Sequence, residues 1–373
     1  AVWVALLAAR GYSLWQIGLA EGVHHIVSLA AEIPSGMAAD LLGRRRTLAA
    51  SGLMAALSGL LMAFEQGFGF VLASMALSAL SYNLISGTFE ALSYDSLCAA
   101  GRTELYPTVQ TRCALLQSVG SILGYLASLL TAVLPFRAYY LIDVGLSGLR
   151  SLAAGSLREP VVTETQAARE AAETRALLAT LPRRLRAHVR ETVRFLLGSP
   201  ATTRLIFANA VISLPCYLTL MFLQQRLSAA LLGLIVCLFE LGRPVGSWLS
   251  LRVRPRRLVG LYAACAALGG LCTVAAGLAP LPLAVLAGAG FAGCEMLWTL
   301  CSERRLNDSF PSDQRATLVS VNSMVYSLLM IPVSPLTGLA GDLTGAPGAG
   351  LALLGGGVLA AGIAARCWAK RPH

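Results

Sequence analysis

An all-α membrane fold is predicted, with twelve transmembrane helices in two pseudo-symmetric six-helix bundles, the first helix truncated. Three observations predict it. Of the 373 residues, 56% are hydrophobic and 13% charged, against roughly 25% charged in an ordinary soluble domain. Apolar runs near the ~20 residues that a bilayer span requires alternate with short polar turns. Basic residues gather in every second turn, the asymmetry that sets orientation.

The elements follow in order. Residues 1–9 are apolar but make only about half a span before Arg10-Gly11-Tyr12 interrupts them, so the chain reads as starting inside its first helix. Span two covers about 15–39 and ends at a basic turn. Span three, about 47–64, stops at Glu65-Gln66-Gly67. Span four, about 69–93, leads into a polar inner loop with Arg102 and Glu104. Span five, about 108–130, ends at Leu134-Pro135-Phe136-Arg137, and span six covers about 138–157. The second set has spans at about 201–224, 230–251, a ninth ending near 278, then 283–302, 316–339 and 348–365. Pro280 and Pro282 turn the chain after the ninth. Pro332 and Pro335 are expected to break or kink the eleventh.

Charge tests this count. Inner turns hold Arg44, the arginines from Arg158 to Arg204, Arg252, Arg304 and Arg366, whereas outer turns hold only Arg10, Arg137 and Arg226. Both termini are therefore expected on the cytoplasmic side. The domains read as an N-terminal bundle at 1–157, a cytoplasmic linker at 158–200 and a C-terminal bundle at 201–373. Within the linker, Leu185, Val189, Val193 and Leu196 recur at i, i+4, i+8 and i+11 among arginines. That pattern suits either an amphipathic helix on an anionic membrane surface or a solvated linker helix.

Composition also excludes classes of function. A net charge of +10 suggests nucleic acid, but the arginines lie in short clusters between apolar runs, which is a topology signal. Nine cysteines are scattered without a CxxC pair or metal-ligand spacing. The adjacent His24 and His25 point to different parts of a helix. No Walker A, GxSxG, HExxH or dinucleotide fingerprint occurs. Neither an enzyme nor a metal or other cofactor is expected.

The basic turn after span two carries a motif, Gly36-x-x-x-Asp40-x-x-Gly43-Arg44-Arg45. Gly36 is small enough for close helix approach. Asp40 can meet an arginine or the positive N-terminus of a helix. Gly43 permits a reversal with φ > 0. The halves repeat weakly: Pro34-Ser35-Gly36 and Leu48 match Pro244-Val245-Gly246 and Leu258 at one offset of 210 residues. Ser250 and Val253 stand in the second copy where Asp40 and Gly43 stand in the first.

This motif resembles the loop between helices two and three of the major facilitator superfamily, although Leu41 stands where that family often has arginine. Two further stretches, 87–95 and 315–320, resemble its bacterial, multidrug-efflux-like members. The resemblance implies two bundles rocking about a central site, a gating role for Gly36, Asp40, Gly43, Arg44 and Arg45, and a multi-pass protein of the bacterial inner membrane. It implies a small-molecule substrate, protons as coupling ion, the lipid bilayer as surroundings, no nucleic acid and a monomer. Proton-coupled efflux of amphipathic compounds is the favoured reading. The Gly-Pro motif common on helix five of drug–proton antiporters is absent, so an uptake symporter for a metabolite stays open, as does a non-transporting receptor of the same fold.

Ionisable groups inside a bilayer face a cavity or a partner. Span two carries Glu21, His25, Ser28, Glu32 and Gly36 within roughly 60° of one line. Span four offers Asn83, Ser86, Glu90 and Tyr94, and span five a small-residue face of Gly120, Ser121, Gly124 and Ser128. In the second half Glu240 and Arg243 form a local i, i+3 pair, Glu295 lies mid-span, and Asn322 shares a face with Tyr326. Substrate or proton binding is assigned to Glu32, His25, Glu90, Glu295 and Asn322. Glu32 and Glu295 are the deepest carboxylates without a cation on their own helix, which suits proton exchange.

Overall fold

The computed structural model describes residues 3–127, 134–159, 192–226, 236–253, 258–309 and 315–369, with isolated positions between 183 and 190. Every regular element among them is helical. In the first half these are α1 (Trp3–Ala9), α2 (Leu14–Leu42), α3 (Arg44–Ala63), α4 (Phe68–Ile85), α5 (Thr88–Ala99), α6 (Tyr106–Ala127) and α7 (Phe136–Ser156). In the second they are α8 (Pro200–Leu223), α9 (Gly242–Arg252), α10 (Leu258–Leu278), α11 (Leu281–Ser309), α12 (Arg315–Thr344) and α13 (Ala349–Ala369). Short helical stretches at 192–198 and 236–240 precede α8 and α9.

Seven helical stretches among the described residues are long and apolar enough to cross a membrane: Arg44–Ala63, Phe68–Ala99, Pro200–Arg226, Leu258–Leu278, Leu281–Leu306, Ser320–Thr344 and Ala349–Cys367. The 29-residue α2 is not among them. Its Glu21, His24, His25 and Glu32 dilute the apolar run, and such a helix crosses lipid only with those groups turned away from it.

The helix count departs from twelve uninterrupted spans. Predicted span four is two helices: Ser86 leaves helical geometry at ψ 124° and Gly87 takes φ 75°, so α5 starts afresh at Thr88. Glycine takes that positive φ without a Cβ clash. Predicted span eight is interrupted too, because Leu241 forms a turn between 236–240 and α9. Of the break or kink expected at Pro332 and Pro335, a break does not occur: α12 continues through both for 30 residues. In the linker, Leu185 and Val189 lie outside the described residues. Its final turn packs inward, with Phe195 and Leu196 against Ile206, Leu306 and Val321.

The chain packs as two compact units. The first comprises Ala1–Gly22, Tyr125–Ala132 and Thr192–His373. Its core gathers Ile212 and Cys216 of α8, Phe291 and Trp298 of α11, and Val358 of α13 around Phe239. Glycines let its helices touch backbone to backbone. A Cβ added at Gly242 would lie 1.8 Å from the Ala289 carbonyl oxygen, and one at Gly246 2.1 Å from that of Gly293. The first turns of α2 meet α12 in the same way, Gly18 against Ser334 and Gly338 against Leu14. There the Asp342 carboxylate accepts the N–H groups of Leu14 at 3.0 Å and Trp15 at 2.8 Å. Those donors have no partner inside their own helix, and an anion suits the positive end of its dipole.

The second unit comprises Val23–Gly124 and Val133–Glu191. Here α3 packs against α4, α5 and α7. Gly52 admits Ser151 and Gly59 admits Val144, each closer than 3 Å to a built Cβ. Polar rungs bind the same helices. Ser81 Oγ donates to the Ser51 carbonyl at 2.9 Å, and Arg150 Nη2 donates to that oxygen at 3.1 Å and to Ser81 Oγ at 3.2 Å. Ser58 and Ser74 pair at 3.0 Å. Small residues and interhelical hydrogen bonds drive association where lipid removes the hydrophobic difference.

Gly246→Val forces the α9–α11 contact apart, and overpacking of this kind costs about 1–3 kcal/mol. Among the described residues nothing lies within 4 Å of a Cβ at Gly36. Thermal melts of the purified protein in detergent are expected to show a lowered midpoint for Gly246→Val and an unchanged one for Gly36→Val.

Candidate functional site: a charged centre beside α11

The glycine contact between α9 and α11 delivers the charges. Arg243 follows Gly242, and Glu295 lies two residues beyond Gly293. Arg243 Nη1 thereby reaches Glu295 Oε2 at 3.0 Å, while its Nε holds Glu240 Oε2 at 2.9 Å. Glu295 is 7% exposed. Its other oxygen accepts Ser213 Oγ of α8 at 3.1 Å and Thr299 Oγ1, one turn along α11, at 3.2 Å. One guanidinium therefore serves two carboxylates, and one carboxylate ties three helices together.

A hydrogen-bonding wall surrounds this centre. Tyr217 of α8 hydrogen-bonds Glu21 of α2, which is 3% exposed. Tyr326 of α12 lies within electrostatic reach of Glu21, Glu295 and Arg243. Asn209 Nδ2 donates to Asn322 Oδ1 at 3.4 Å, and Asn209 Oδ1 accepts the indole N–H of Trp298 at 2.9 Å. The cluster thus combines three carboxylates, one guanidinium and two phenols. Adjacent carboxylates near a single cation can exchange a proton for a positive charge.

The second unit holds the inner turn. Gly43 takes φ 87°. The Glu159 carboxylate seats against it, 3.1–3.2 Å from a built Cβ. That carboxylate accepts the N–H of Arg44 at 2.7 Å and of Arg45 at 2.8 Å, capping α3. Arg44 Nη1 pairs with Asp95 and donates to the Ala91 carbonyl at 2.6 Å, both on α5. The turn is thereby pinned between α5 and the residues just after α7.

The sequence-assigned residues fall as follows. Glu295 lies at the charged centre and Asn322 on its hydrogen-bonded wall. Arg44, Arg45 and Gly43 form the inner turn. His25, buried on α2, and Glu32, half-buried on the same helix, belong to the second unit, as does exposed Glu90. In that unit Ser28 Oγ donates to Asn83 Oδ1 at 2.8 Å, joining the polar faces assigned to spans two and four. The Asp40 side chain lies outside the described residues. The small-residue face of α6 meets no described neighbour at Gly120 or Gly124. Sequence reading treated Arg243 and Glu240 as a local pair and missed the reach to Glu295. It also missed Glu159, whose only signal was an acidic residue just beyond span six.

Apolar helices enclosing an ion-paired, hydrogen-bonding interior are the build of a membrane transporter. The chain belongs to the Major Facilitator Superfamily, whose model matches residues 1–326. It is 35% identical over 89 residues to the uncharacterized MFS-type transporter YxaM of Bacillus subtilis (strain 168), and 33% identical over 137 residues to YdeG of the same organism. Those matches take in 24% and 36% of this chain but only 22% and 31% of the two relatives. The crystal structure of the nucleoside transporter NupG aligns over 100% of this chain and 94% of that one, with TM-score 0.71 and 14% identity. A D-xylose-proton symporter aligns over 98% and 90%, with TM-score 0.68 and 13% identity. At such identities the likeness shows the fold. The protein is a multi-pass membrane protein of this superfamily.

Glu159→Gln removes the anion from the α3 N-terminus, where such a charge stabilises by about 0.3–1 kcal/mol. The variant is expected to fold but to expose the inner turn, read as faster trypsin cleavage at Arg44 to Arg46. Cleavage no faster than in the wild type contradicts the capping role.

Proposed function

We propose that the protein is a proton-coupled exporter of small amphipathic cations, working by alternating access. The observation that supports this reading most is the buried Glu295 carboxylate, held by Arg243, Ser213 and Thr299. Taking up a proton there neutralises Glu295, leaves Arg243 to Glu240 and loosens the tie between α8, α9 and α11. Two states with different helix contacts then differ in proton affinity, which is the condition for coupling. With Glu240 and Glu295 sharing one guanidinium the centre is acidic, so a cationic solute and protons compete for the same groups. Competition of that kind yields exchange, hence efflux against an inward proton gradient.

Glu32, His25 and Glu90 belong to the proposal as solute-facing groups of the other unit. Gly36, Asp40, Gly43, Arg44 and Arg45 belong to it as the inner gate. So do the twelve spans, the domains at 1–157, 158–200 and 201–373, cytoplasmic termini in a bacterial inner membrane, and a monomeric carrier. A second reading, uptake of a polar metabolite with protons, draws on the Asn209–Asn322–Trp298 network. Such a network suits a solute rich in hydroxyl and amide groups, and the two solved transporters described above carry a nucleoside and a sugar.

Proteoliposomes carrying an outward or inward pH gradient distinguish these readings with labelled tetraphenylphosphonium, uridine and xylose. Export predicts that tetraphenylphosphonium moves against the proton flux. Movement of uridine or xylose with the protons, and none of the cation, overturns it in favour of uptake. Glu295→Gln is expected to abolish gradient-driven movement while preserving counterflow exchange. Loss in Glu32→Gln with full retention in Glu295→Gln moves the coupling site to α2.

A further inference from the structure

α2 starts on two sets of acceptors. One is its own: Ser13 Oγ accepts the Gln16 N–H at 3.2 Å, and Gln16 Oε1 accepts the Ser13 N–H at 2.9 Å. This reciprocal box fixes a helix start without outside help. The other set comes from the last turn of α12, where the Asp342 carboxylate accepts the N–H groups of Leu14 and Trp15. Both of those hydrogen bonds are exposed, so water takes the place of the carboxylate when it leaves.

Beside them the two helices meet on backbone. A Cβ at Gly338 would lie 2.1 Å from the Leu14 carbonyl oxygen, and one at Gly18 2.4 Å from that of Ser334. The seam ends at Gly22, against the Ile331 carbonyl, and Gly22 is the last α2 residue of the first unit. The Ser334 side chain is fully buried in this seam, and among the described residues its hydroxyl has no hydrogen-bond partner. An unmet buried hydroxyl disfavours the closed seam. Asp342 favours it, since an anion suits the positive end of the α2 dipole. The two residues therefore oppose each other across one contact.

We infer that Asp342 is a releasable latch on α2, working against Ser334. Engaged, it closes the seam at the end of α2 remote from the Gly43 turn. Released, it leaves α2 capped by Ser13 and Gln16, lets water reach Ser334 and opens that end of the protein. The inference rests on the alternating-access reading above.

Ser334→Cys places a thiol in the seam. Its alkylation by N-ethylmaleimide, read by mass spectrometry of the peptide that contains it, reports opening. Adding Asp342→Asn is expected to speed alkylation about two- to fivefold, the effect of an exposed anion at a helix start. Alkylation of Cys216, buried on α8, should not change. Ser334→Ala, with Asp342 intact, should act the other way and slow hydrogen exchange at the Leu14 and Trp15 amides. Three results overturn the latch: equal alkylation with and without Asp342→Asn, an equal rise at Cys216, or unchanged or faster exchange in Ser334→Ala. Neither measurement needs a solute or a proton gradient, so the latch and the export reading fail separately.

Discussion

Arg243 is the residue on which the first unit's interior depends. A guanidinium inside a membrane protein is costly unless its donors are met, and a fork of five donors can meet more than one carboxylate. It does so only because α9 and α11 touch backbone to backbone at Gly242, Gly246 and Gly293. A larger residue at these positions would separate the helices by more than the 3.0 Å contact to Glu295 can absorb. Packing and charge are therefore one constraint here: the glycines hold no charge, yet they set the distance at which the charges meet.

The same economy recurs. In lipid, apolar surface gains little from meeting apolar surface, so helices associate through small residues and satisfied polar groups. In the second unit α3 uses Gly52 and Gly59 for close contact, with serine hydroxyls and Arg150 crossing to neighbouring backbone. Carboxylates at helix starts serve the same end. Asp342 caps α2, and Glu159 caps α3. Each satisfies two donors that helix geometry leaves open, and each joins residues far apart in sequence.

Much of the fold was legible in the sequence because span length, basic turns and the offset between Gly36 and Gly246 need no tertiary information. The inner turn was legible because Gly43 and the arginines lie next to one another. What stayed hidden was contact across helices. Glu240 and Arg243 look like a closed pair when only one helix is considered, and nothing local says that Arg243 has a second partner 52 residues away. The break at Ser86-Gly87 was hidden for the opposite reason, since apolar residues on both sides keep the hydropathy high. Pro332 and Pro335 suggested a break that α12 does not show, because neighbouring groups can carry a membrane helix through a proline.

We propose that Glu295, held by Arg243, takes up and gives back the proton. Infrared difference spectra recorded across a pH titration of the reconstituted protein observe protonated carboxyl groups directly. A titrating carboxyl band is expected in the wild type, missing in Glu295→Gln and altered in position by Arg243→Gln. A band that persists unchanged in Glu295→Gln contradicts it.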